Sequence, residues 1–205
     1  MKEQLMAGPN GIDVTKVFIP VTGHMGVAPE GTTIPTPAEG GELDYVLPAA
    51  FKKPGLLTED GGFEWTLERD GDAIVFYQEG FSLPSGLANA TVVVKLAQTD
   101  DIVRSIIHGQ TPDENGYLEI DAGGTDAVYV LYTEEIAKNL WIRRRVAAIA
   151  TIDSVKEDKS TRGEVVGYEV TFKISRSPRL NNKHLGEWLI PPAGSAAAAV
   201  APAGE

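Results

Sequence analysis

Apolar and polar positions alternate with a period of two along most of this chain. Across Glu164–Arg176 the even positions Val166, Tyr168, Val170, Phe172 and Ile174 are apolar, and the odd positions carry Glu169, Thr171, Lys173 and Ser175. That is the pattern of a strand with one buried and one wet face. Leu140–Val155 repeats it: Leu140, Ile142, Val146, Ala148, Ala150 and Ile152 share a face interrupted by Arg144, while Trp141, Arg143, Arg145, Thr151 and Asp153 line the other. The charged segment Lys156–Gly163 joins the two runs, which predicts a long antiparallel hairpin. Shorter strands are predicted over Val14–Val21, Gly62–Asp70, Ala73–Tyr77, Ala90–Ala97, Tyr117–Asp121 and Ala127–Thr133. Gly62–Asp70 lies between Gly-rich turns, and its alternate set Glu64, Thr66, Glu68 and Asp70 is mostly acidic, which reads as a solvent-facing hairpin arm. One helix is expected, Asp100–His108, with Thr99 as N-cap, Asp100 and Asp101 suiting the dipole and Gly109 ending it. Glu134–Asn139 reads as a single helical turn or a loop.

These elements make the chain mainly β, with one flanking helix. The 205 residues suffice for a single large β domain, assigned here to residues 14–190. Residues 1–13 are polar and Gly/Pro-punctuated, an N-terminal arm. Residues 191–205 form an Ala/Pro-rich tail that needs a neighbouring chain to order it.

Charge narrows the partners. The formal net charge is −11, and ten acidic against three basic residues fall between Glu39 and Glu79. This argues against a nucleic-acid grip, which needs Lys and Arg to neutralise phosphates, but not against a surface that DNA passes without sticking. The chain has no cysteine, so disulfides and thiolate metal sites are excluded. No apolar run of about 18 residues suggests membrane insertion, and no export signal is evident.

Catalytic patterns are missing. His24, His108 and His184 have no ligand spacing to one another. Neither a nucleophile elbow nor a phosphate-cradling glycine loop occurs. Asp121-Ala-Gly-Gly-Thr-Asp126 reads either as a Ca²⁺-binding turn or as a Gly-Gly hairpin turn with acidic flanks. The expectation is a non-enzyme without cofactor.

Gly26–Thr36 (GVAPEGTTIPT), Lys53–Arg69 (KPGLLTEDGGFEWTLER), the strand running into a helix over Ala90–Gly109 and the final long hairpin together resemble the major tail protein of long, flexible-tailed bacteriophages of actinobacteria. The resemblance spans roughly Val14 to Trp188. It implies a tail-tube-type β-sandwich or barrel, six copies to a ring and rings stacked into a tube, with long hairpins joining an inter-subunit inner barrel. About twenty-four strands at ~4.8 Å spacing and ~40° tilt give a backbone diameter of about 48 Å, leaving a bore of roughly 35 to 40 Å for duplex DNA. Implied partners are other copies of the chain, a tape measure protein, a tail terminator and passing double-stranded DNA, with no membrane. The implied location is the virion tail, assembled in the host cytoplasm.

Site residues follow from that reading. Leu57, Thr58, Glu59, Asp60, Gly61, Glu64, Glu68 and Asp70 are expected at contacts between subunits or rings. Arg143, Arg145 and Lys156 are their expected basic partners on a neighbour. Glu169, Thr171, Lys173 and Ser175 are expected to face the lumen, with Lys173 neutralised by an acidic residue. The alternatives are a tail terminator or other neck component, or a carbohydrate- or host-binding β module stacking sugars on Trp65 and Tyr77.

Overall fold

The computed structural model describes residues 12–83 and 85–193. The expected arm over residues 1–11 and the tail from residue 194 lie outside the described residues. The chain is mainly β, a seven-stranded antiparallel sheet with two α-helices. The strands are β1 (Pro20–Pro29), β2 (Glu64–Asp70), β3 (Ile74–Val75), β4 (Ser82–Leu83), β5 (Leu87–Leu96), β6 (Val128–Ala137), β7 (Ile142–Glu157), β8 (Tyr168–Ile174) and β9 (Gly186–Ile190). The helices are α1 (Pro37–Gly40) and α2 (Asp101–His108).

Sheet order is β1-β6-β7-β8-β5-β2, and β9 pairs with β7. β7 is long enough to take two partners in succession on one side. Its first residues, Ile142 to Val146, pair with β9, and its later ones, Ala150 to Glu157, pair with β8. On the other side β6 follows β7 only as far as the Val128–Thr151 pair. The hairpin read from the period-two runs is present, although β8 begins at Tyr168 rather than Glu164.

Two apolar clusters lie on opposite faces of the sheet. One joins Met25 and Val27 of β1, Val92 and Val94 of β5, Leu131 of β6 and Phe172 of β8 to Val103, Ile106 and Ile107 of α2. The second packs Leu47 and Phe51 onto Ala28, Val130, Tyr132 and Val146. β6 is therefore covered on both faces, which explains its unbroken apolar run Val128 to Tyr132. Gly109 ends α2 at φ +68°, where a Cβ would meet Thr125 Oγ1 at 2.1 Å, so glycine is required on both counts.

Several expectations are corrected. The Val14–Val21 stretch is a 3-10 turn (Val14–Lys16) followed by the start of β1. Residues 117–121 form no strand. Glu134 and Glu135 continue β6 instead of turning, because Arg144 and Arg143 stand opposite them in register. Asp100, not Thr99, caps α2, accepting from Val103 N at 2.9 Å. The Gly62–Asp70 segment, read as a solvent-facing hairpin arm, pairs with β5, from Glu64↔Val93 to Asp70↔Leu87, and Ile74–Val75 pairs with Ser82–Leu83. This arm is also not wholly polar, since Phe63 and Trp65 pack against the main cluster.

Candidate functional site

In an antiparallel ladder, directly opposed residues point to the same face. Glu64 faces Val93, Val93 faces Thr171, and Thr171 faces Ser154. One row along, Thr66, Thr91, Lys173 and Thr151 stand side by side. A further row sets Lys95, Glu169 and Lys156 together, and Glu68 lies opposite Asn89. The structure thus places Glu64 and Glu68, expected between subunits, on the same polar face as Glu169, Thr171, Lys173 and Lys156. The opposite face of these strands carries Val92, Val94, Val170 and Phe172 in the core.

This polar face spans four strands, β2, β5, β8 and the second half of β7. Its charges are mixed and slightly acidic: Glu64, Glu68 and Glu169, with Asp70 next in the same alternate set, stand with Lys95, Lys156 and Lys173, among threonines, Ser154 and Asn89, and Lys95 also pairs with Asp60 and Asp158. Lys173 is not neutralised by an acidic neighbour as expected. Its register neighbours are Thr91 and Thr151, and it makes no ion pair among the described residues. Ser175, just past β8, is exposed and donates its N–H to the Ile149 carbonyl at 3.0 Å.

Both outer edges of the four-strand unit are open among the described residues. β2 pairs only with β5. β7 beyond Thr151 pairs only with β8.

Residues 57–61 are fixed to the body instead of swinging free. Thr58 N donates to Lys95 O at 3.1 Å, and Leu57 bridges to Leu96. Gly61 is buried, with room for a Cβ removed by Thr58 Oγ1 and Lys95 Cβ. Asp60 lies 3.6 Å from Lys95 Nζ. Its carboxyl is held below the usual range first by the Thr58 hydroxyl, with its own backbone N–H and Lys95 adding to the effect. Glu59 alone of this group stays exposed with no ion pair among the described residues.

The three consecutive arginines are each matched within the chain, to one carboxylate and one aromatic ring. Arg143 Nε donates to Glu135 at 3.0 Å, and its guanidinium lies 4.3 Å from the Phe18 ring centre. Arg145 Nε donates to Glu187 at 2.5 Å and lies 5.3 Å from the Trp65 ring centre. Arg144 is 1% exposed. It donates to Glu134 at 2.5 Å, to the carbonyls of Gly40 at 2.9 Å and Leu43 at 3.3 Å, and to the Glu42 carbonyl, with Tyr45 stacked 5.6 Å away. It clamps the α1 segment to the sheet. Arg143 and Arg145 therefore have partners of their own, contrary to the expectation that a neighbour supplies them, and of the three candidate basic residues only Lys156 is exposed and outside any ion pair among the described residues.

Beyond Ala90 the β2–β5 ladder runs past the end of β8 and carries a tip, residues 71–83 and 85–86, into solvent. Ile74, Val75, Phe76, Phe81, Leu83 and Leu87 are exposed there, and Tyr77 is fully so. Sequence reading missed this apolar tip because it followed the acidic residues. The sugar platform of Trp65 and Tyr77 is not formed, since Trp65 packs inward under Arg145. Among the described residues no cluster of three metal-ligating side chains occurs, and no helix is long and apolar enough to cross a membrane. No protein-family model matches the chain, and no curated protein matches it.

Proposed function

We propose that this chain is a structural subunit of a bacteriophage tail tube, assembling with copies of itself into closed, stacked rings through which double-stranded DNA passes. The observation that carries this reading is the four-strand unit with both edges open. Its strands alternate in direction, so β2 and β7 run oppositely, and joining β2 of one copy to residues 152–157 of the next continues the antiparallel ladder. The free lengths suit each other, since β2 has seven residues. An exposed edge is a standing invitation to pairing, and a closed ring removes every such edge at once.

The face turned inward by such closure would be this mixed, slightly acidic one. A basic lining would hold phosphates, whereas Thr, Ser, Asn and paired charges offer a duplex no net attraction. The resemblance in residues 26–36 and 53–69 points the same way.

Electron microscopy of the purified protein at increasing concentration tests the proposal. Rings or tubes with a bore of roughly 35 to 40 Å are expected. A monomer at every concentration in sedimentation, or an isologous dimer that closes without further growth, would sink it.

A further inference from the structure

The exposed tip of the β2–β5 arm has a matching surface elsewhere on the molecule. At the tip, Phe76 N donates to Phe81 O at 3.2 Å and closes a turn over residues 77–80, with Gly80 at φ +86°. Tyr77 stands at the apex, flanked by Phe76 and Phe81. From Gly71 to Leu87 the sequence carries Asp72 and Glu79 and no Lys or Arg, and the oppositely charged Arg69 and Asp70 stand at the base of the arm. The tip is thus an aromatic knob with an acidic collar.

On the other cluster's side of the sheet lies a groove between the segment before α1 and the one before β9. Ile34, Pro37, Leu180 and Trp188 line it, with Arg179 and Lys183 at its rim and Glu187, paired with Arg145, on its wall. Lys173 to His184 includes four basic residues, Lys173, Arg176, Arg179 and Lys183, and no acidic one. Lys173, Arg176 and Lys183 are exposed and make no ion pair among the described residues. Lys173 belongs to the polar face described above and, with Arg176, borders a separate hollow beside Leu87–Asn89, so the groove's own cations are Arg179 and Lys183. The groove is apolar where the knob is apolar, and cationic where the knob is anionic.

We infer that the arm tip of one copy seats in the residue 34–37 and 179–188 groove of another copy, Tyr77 and Phe81 entering beside Trp188 and the acidic collar meeting Arg179 and Lys183. The inference rests on the self-assembly reading above and specifies its second contact. Knob and groove are different surfaces, so one copy can hold a second by its groove while its own knob engages a third, and the contact can repeat head-to-tail around a ring. Opposite charges fix partner and register, while the buried aromatics supply the affinity.

The absence of cysteine makes the contact directly testable by disulfide trapping. Full-length protein carrying Tyr77→Cys is mixed with protein carrying Asn181→Cys, an exposed position beside the groove, and oxidised. A mixed disulfide between the two variants is expected, with each variant alone giving little. A mixture that crosslinks only Tyr77→Cys to itself overturns the inference. In parallel, Glu79→Lys and Lys183→Glu should each raise the concentration for half-assembly roughly tenfold or more, and the two together should recover most of it. Unchanged thermal unfolding of the monomer separates this from misfolding. If rings form normally with Glu79→Lys and with Tyr77→Ala, the inference fails while the ring reading stands. If unsubstituted protein never assembles, both fail.

Discussion

Arg143, Arg144 and Arg145 are neighbours in sequence with different tasks, set by how deeply each is buried. Arg144, almost wholly buried, holds Glu134 and three carbonyls of the residue 40–43 segment. Arg144→Ala leaves the mostly covered Glu134 carboxylate and those carbonyl acceptors unmatched, and should cost about 3 kcal/mol in urea denaturation. Arg145→Ala, at a pair with a 40% exposed Glu187 side chain, should cost about 1 kcal/mol or less. Equal losses would refute the clamp. Gly40 sits under Trp188, whose ring a Cβ would meet at 2.4 Å. Gly40→Ala should therefore destabilise by about 1–3 kcal/mol through overpacking and loosen the Trp188 Nε1 to Pro37 O bond of 2.9 Å, visible in tryptophan fluorescence. His24 supplies a pH signature. Burial lowers its pKa, against the smaller opposing pull of Glu134, and burial followed by Arg104 lowers that of His108. The unfolded chain then takes up protons first, so stability present above about pH 6.5 declines as pH falls through the lowered folded values. Asp13, Glu39, Asp60 and Asp113, whose pKa values are also lowered, add their loss only at more acidic pH, below about 4. Melting temperature against pH should show two declines, and His24→Gln should shrink the upper one. An unchanged upper decline would remove His24 from the account.

At the scale of elements, α2 isolates a single capping bond. Asp100→Ala should lower stability by about 1 kcal/mol while Thr99→Ala changes it little, as measured by thermal unfolding. The reverse order would restore Thr99 as the cap. The sequence reading takes Thr99 as the cap and Asp100 as a first-turn charge, and spacing does not separate them, because either side chain can reach a free N–H of the first turn. The β7–β8 hairpin was legible because its two strands are nearly adjacent and each alternates cleanly over one buried face. The β2–β5 pairing was not, since a sixteen-residue excursion separates the strands and the turn signal at Asp70-Gly71-Asp72 suggests a closer partner. Glu134 and Glu135 suggested a turn only because their arginines stand across the ladder, eight and ten residues away. β9 escaped notice because five residues, GEWLI, alternate too briefly to stand out. The polar face was half legible. Its residues on β8 followed from the period, but that β2, β5 and β7 add Glu64, Glu68, Lys95 and Lys156 to the same face depends on long-range register.

For the whole molecule, net charge and local charge point in different directions, and the distinction matters for DNA. The total of −11 is concentrated on the arm and its flanks, while the polar face of β2, β5, β8 and β7 carries acids and bases in nearly equal number. Long-range repulsion alone would keep a duplex out at low salt and admit it at high salt. In the tube proposed above, a face of nearly equal charges would give passage that barely depends on ionic strength, because few phosphates exchange counterions for lysine. Three threonines stand in one row on this face, Thr66, Thr91 and Thr151, beside Lys173. Replacing all three with Lys would add three positive charges per copy to the same row, multiplied around any ring. Assembled unsubstituted protein should leave the electrophoretic mobility of a short duplex unchanged from about 50 to 200 mM salt. The assembled Thr66→Lys, Thr91→Lys, Thr151→Lys protein should retard it at the low end, with retention falling steeply as salt rises. Retention by the unsubstituted protein, or none by the assembled triple variant, would show that this face does not meet DNA.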